Sequence, residues 1–109
     1  MSTQAFTPTG NTVTFTANTS AATPVQAVST TLGGNQYRIL NSGTVTVFMG
    51  VGSTSALATA NATVVTSTAL AIPLLAGTDE ILTFSPNSYF TGITSSSTAV
   101  VFITPGDGQ

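Results

Sequence analysis

Residues 11–16 read Asn-Thr-Val-Thr-Phe-Thr, an alternation that sets Val13 and Phe15 on one side of an extended chain and Thr12, Thr14 and Thr16 on the other. One apolar face and one hydroxyl face predict a half-buried antiparallel strand. The same period of two recurs at 36–40, where Tyr37 and Ile39 oppose Arg38 and Leu40, at 44–49, and at 79–84, where Ile81 and Thr83 oppose Leu82 and Phe84. Shorter runs at 24–28, 63–67, 69–75, 88–93 and 98–103 complete eight or nine candidate strands. Pro24 and Pro73 assign their strands to a start or an edge, because proline has no N–H to give a central ladder.

Turn signals separate these runs: Leu32-Gly-Gly-Asn35, Asn41-Ser-Gly43, Gly77-Thr78 and Ser85-Pro-Asn87. Asn41-Ser-Gly43 predicts a hairpin with a three-residue loop that joins 36–40 to 44–49. Gly50-Val-Gly52 then reads as the exit of that hairpin. Residues 56–60 are rich in alanine, yet their Thr and Asn neighbours and short length predict a loop rather than a helix. The last strand is expected to end before Pro105-Gly-Asp-Gly108.

Short strands at intervals of roughly 8 to 12 residues predict an all-β fold, an antiparallel β-sandwich or jelly roll, with a small closed barrel as the alternative. Thr-Val-Thr occurs at 12 and 44 and similar loops begin at Ala17 and Ala60, but these offsets, 32 and 43, are unequal and argue against a repeat. Residues 1–10 carry no alternation and hold Phe6 and Pro8. They predict an N-terminal arm that orders on a partner, ahead of a single domain at 11–109.

Composition narrows the chemistry. Of 109 residues, 23 are Thr and 12 are Ser, while the charged set is Arg38, Asp79, Glu80 and Asp107. Without Lys, His, Cys or Trp, the chain has no imidazole relay, no thiol or amine nucleophile, no Walker lysine and no His or Cys ligand for zinc. A non-enzymatic protein without a cofactor is expected. Nucleic acid is an unsuitable partner for one arginine and a net charge of −2, since phosphate binding draws on several cations. Disorder is not expected either, because β-branched and aromatic residues are plentiful and net charge is low. The N-terminus shows neither a basic region nor an apolar run, so no signal peptide is expected and synthesis is assigned to the cytoplasm. The longest apolar run, 69–76, is too short to span a bilayer.

Few residues qualify as sites. Asp79 and Glu80 are adjacent, so in a strand they point to opposite faces and cannot form a facing carboxylate pair. Arg38, mid-strand, is expected to pair with Asp79 or Glu80 as a structural ion pair, in preference to a carboxylate on a partner. Gly50-Val-Gly52 lacks the third glycine and the helix of a dinucleotide loop. Asp107, in a terminal tail, lacks the neighbours of a protease aspartate. Asn18-Thr-Ser20 and Asn61-Ala-Thr63 match glycosylation sequons, as a threonine-rich chain does by chance. Three scattered carboxylates do not build a calcium site. Among the aromatics, Phe48, Tyr89 and Phe90 are assigned to the core, and Phe6, with Pro8, to partner binding.

Five segments carry a resemblance: Tyr37-Arg-Ile-Leu-Asn-Ser-Gly-Thr44, Val45-Thr-Val-Phe-Met-Gly50, Pro73-Leu-Leu-Ala-Gly77, Glu80-Ile-Leu82 and Val101-Phe-Ile-Thr-Pro-Gly106. Over residues 36–106 the chain resembles small accessory structural proteins of tailed bacteriophages. The resemblance implies a β-sandwich made in the host cytoplasm that attaches to the virion and decorates or cements the capsid by bridging major capsid protein subunits. A homo-oligomer is expected, with no membrane partner. The alternative is a virion-surface or tail-associated module that binds host-cell carbohydrate, although Trp, a common sugar platform, is absent.

Overall fold

A computed structural model describes residues 7–28, 36–64 and 70–107. Within them the chain forms β1 (Thr7–Pro8), β2 (Val13–Ala17), β3 (Val25–Gln26), β4 (Gln36–Asn41), β5 (Val47–Gly52), α1 (Ser55–Asn61), β6 (Ile72–Leu74), β7 (Asp79–Thr83), β8 (Tyr89–Ile93) and β9 (Ala99–Asp107). These strands pair antiparallel into two sheets. In the first, β9 is flanked on one side by β2 and β1 in succession and on the other by β4, with β7 outside β4. The second runs β3, β8, β5, β6. Strands from the two ends of the chain interleave in both sheets, which is the strand order of an eight-stranded jelly roll with β1 added at one edge. Two separate sheets dispose of the closed barrel.

The inner faces supply the core: Phe15 from β2, Tyr37 and Ile39 from β4, Val47 and Met49 from β5, Leu74, Phe90, and Val101 and Ile103 from β9 are buried together, and Phe15, like Tyr37 with Ile39, lies on a face that alternation sets apart. Phe84 and Phe90 stack around the Tyr37 ring with centroids 6.0 and 4.9 Å from it. The Tyr37 hydroxyl donates to the carbonyl of Ser85 at 2.7 Å, so its polar end is satisfied inside the sandwich. Asn87, with φ 58°, makes the expected turn at 85–87.

The expected hairpin between 36–40 and 44–49 does not form. β4 pairs with β7 and β9, whereas β5 pairs with β6 and β8 in the other sheet. Asn41-Ser-Gly43 still turns the chain, but as an arch between sheets. The Gly43 N–H donates to Asn41 Oδ1 at 3.0 Å, and Asn41 Nδ2 donates to the carbonyls of Val45 at 3.0 Å and Leu74 at 2.9 Å. Asn41 is fully buried, so these bonds hold the crossover where a solvent-facing turn would have closed a ladder.

Two further expectations are corrected. Residues 55–61 form α1 rather than a loop, because Thr54 caps it, its Oγ1 accepting from Leu57 N, and because the alanine face finds a partner in β5. β9 does not end before Pro105 but continues through it to Asp107. The Pro105 carbonyl accepts from Thr9 N at 2.9 Å and therefore faces the arm, and in extended backbone its nitrogen faces the same way. The missing donor falls between the end of β2 and β1, and the ladder to β4 loses nothing.

Other boundaries are shorter than expected. The 24–28 run keeps only β3, and 69–75 keeps only β6, with Pro73 on an edge strand. Thr63 and Val64 lie outside any strand, while the rest of that run and the Leu32-Gly-Gly-Asn35 turn lie outside the described residues.

Candidate functional site

The two sheets present different outer faces. On the second, Gly50 and Gly52 of β5 point away from the core and α1 lies across them. A side-chain carbon at Gly50 would collide with Ala58 O and Ala62 N, so the absence of a side chain is what seats the helix. Ala58 is buried in that contact. Gly50-Val-Gly52 is thus the floor of a helix site rather than the strand exit expected from sequence. An alanine-rich segment following Gly-x-Gly was the available signal.

The first sheet has no such cover among the described residues. Cross-strand registers set out its outer face in rows: Thr104 of β9 stands opposite Arg38 of β4, and Arg38 opposite Ile81 of β7. In the next row Thr14 stands opposite Phe102, then Leu40, then Asp79. Thr12 Oγ1 lies 2.6 Å from Thr104 Oγ1, and Thr14 Oγ1 donates to Val101 O at 2.9 Å. Phe102 and Ile81 remain 38% and 39% exposed. A shallow groove of about 850 Å³ crosses this face between Pro8, Asn11 and Thr12 on one side and Asp79 and Ile81 on the other.

Arg38 and Asp79 close on each other within that groove. Arg38 Nη2 lies 2.6 Å from Asp79 Oδ2 and Nε 3.1 Å from Oδ1, a bidentate pair. The bond from Arg38 holds the Asp79 carboxyl below its ordinary value, and the same bond, with the carboxylate charge, raises the guanidinium. Glu80 is the next residue along β7, exposed and opposite Ile39, and takes no part in that pair. The structure thus joins Arg38 to one of the two carboxylates proposed for it.

Of the residues assigned to a partner, Pro8 is exposed in β1, paired across from Gly106 of β9, and lines the groove. Residues 7–10 of the expected arm are therefore laid along the sheet edge. Phe6 lies outside the described residues. Phe90 is in the core as expected, whereas Phe48 and Tyr89 are half-buried.

A second depression, of about 490 Å³, opens at one end of the sandwich between Val51, Leu70, Ile72 and Phe84, edged by Ser85 and Ser88. Among the described residues no group of three acidic, His or Cys side chains is placed to hold a metal ion. No helix among them is long and apolar enough to cross a membrane. Comparison of the chain with protein families, with characterised proteins and with solved structures finds no match.

Proposed function

We propose that this chain is a non-enzymatic structural protein of a tailed-phage virion, made in the host cytoplasm, that decorates or cements the capsid by bridging major capsid protein subunits. The observation that carries this reading is the open outer face of the first sheet. Its one cation is already bound to a carboxylate, and what remains is threonine hydroxyls interleaved with Phe102, Leu40 and Ile81. Such a surface recognises a flat protein partner through shape, hydroxyl bonds and apolar contact, and it asks for no charge on the other side. No chemistry, cofactor, membrane or nucleic acid is required.

The mechanism is adhesive. A copy that spans two shell subunits buries area that exists only in the assembled lattice, so binding stabilises the lattice by linkage. The N-terminal arm is the adhesive element of this reading, with Phe6 as its anchor and Pro8 beside it at the sheet edge. Removing residues 1–6 is expected to leave the β fold intact and to weaken particle association by about 1–3 kcal/mol.

A second reading takes the groove itself as the site, in a virion-surface or tail-associated module for host-cell carbohydrate. Asn11, Thr12, Arg38, Asp79 and Thr104 line it, and these donors and acceptors suit sugar hydroxyls. Jelly rolls carry both capsid and lectin functions, so the fold favours neither. Mass spectrometry of purified particles, with cryo-microscopy to place the chain, separates the readings. Copies arrayed on the shell support the first, a tail location with glycan binding supports the second, and absence from particles overturns both.

A further inference from the structure

The four sheet edges are not equally protected. β7 carries Asp79 and Glu80, β6 contains Pro73, and β3 has only two residues. β2 has five residues without charge or proline, and among the described residues it pairs with β9 alone. Charge, proline and shortness are the devices that keep an edge from pairing with another chain, and β2 has none of them.

The direction of its free groups follows from the ladder. Ser42 N donates to Val100 O at 3.0 Å, so Val100 faces β4 and the next residue, Val101, faces β2. Phe15, opposite Val101, turns its main-chain groups towards β9, which leaves those of Thr14 and Thr16 pointing outwards. Residues 12–16 read Thr-Val-Thr-Phe-Thr and are palindromic in type about Thr14.

We infer that β2 is the seam for a second copy of this chain, paired antiparallel about a two-fold axis at Thr14. In that register Thr14 meets its own copy, Thr12 meets Thr16, and Val13 meets Phe15. The outer face gains three threonine pairs, the inner face gains two apolar pairs, and no like charges are opposed. Two first sheets join into one continuous sheet with β7 at each end, and the open faces of both copies lie side by side. This pairing draws on the edge of β2 alone and does not depend on the proposed function.

Sedimentation velocity over a concentration series and crosslinking test it on the full chain. The parent should pass from monomer to dimer as concentration rises. The double variant Thr12→Lys, Thr16→Lys opposes lysines across both outer pairs and should weaken the dimer at least tenfold, whereas Thr12→Asp, Thr16→Lys opposes unlike charges and should stay within about threefold of the parent. Because the chain has no cysteine, Thr14→Cys should give a disulfide-linked dimer under mild oxidation, its Cα atoms being about 5.5 Å apart across a hydrogen-bonded pair. Thr16→Cys should not, since its copy lies about 14 Å away in this register. A parent that stays monomeric at every concentration overturns the seam. So does a dimer indifferent to both charge patterns, or one that crosslinks equally through both cysteines. If the lysine variant loses its far-ultraviolet β signal, the single cysteine variants decide.

Discussion

The outer faces of the two sheets differ by what their central strands carry. β5 offers Gly50 and Gly52, and a helix settles on the backbone; β4 and β9 offer Arg38, Leu40, Phe102 and Thr104, and among the described residues nothing settles there. Where two glycines leave the middle of a face without side chains, a helix can close on the backbone itself and bury its alanines there. A sheet tiled with hydroxyls and spaced apolar groups is stable bare and is still able to bind. One face is therefore committed to the fold, and the other is left open among the described residues.

The largest effect is expected at the committed face. Gly50→Ala places a carbon against main-chain atoms of α1 that cannot rotate away, and should cost about 3 kcal/mol or displace the helix. Urea unfolding measures it, and a loss below about 1 kcal/mol would mean that the helix is not seated on Gly50. Next is the crossover that holds the sheets together. Asn41→Ala takes its donor from the buried carbonyl of Leu74 and the part-buried one of Val45 and should cost about 2–3 kcal/mol in the same assay.

The open face should be tolerant by contrast. Thr104→Val removes one exposed hydroxyl pair and should change stability by less than about 0.5 kcal/mol. Smallest of all is the ion pair. Because the Asp79 carboxyl is lowered in the folded chain, its contribution is fully present above the unfolded value of about 3.9 and fades as pH falls through the folded one. Asp79→Asn should therefore differ slightly from the parent at neutral pH and converge with it in acid, and added salt should shrink the difference.

This contrast was only half readable from sequence. Alternation groups Val13 with Phe15, Tyr37 with Ile39, and Leu82 with Phe84, and each group packs in the core, because a side-chain period of two is a property of the strand alone. Which strand pairs with which is not local information. Asn41-Ser-Gly43 turns a chain whether the next strand returns to the same sheet or crosses to the other, and only the carbonyl of Leu74, 33 residues away, distinguishes the cases. The helix escaped notice for a similar reason, since its stability comes from lying on Gly50 and Gly52 more than from its own residues. Arg38 and Asp79 were readable because a chain with four charged residues leaves few choices.

In the proposed role the threonine-tiled face is the contact surface and the helix-covered face is not. Phe102 and Leu57 test it as a matched pair, both exposed apolar side chains, one on each face, at 38% and 49%. Association of purified particles with Phe102→Glu and with Leu57→Glu, at fixed salt and with the fold verified for each, is the direct measurement. Phe102→Glu is expected to weaken binding by about tenfold or more, with Leu57→Glu close to the parent. Loss of binding in Leu57→Glu with Phe102→Glu unaffected would contradict the assignment and move the interface to the helix.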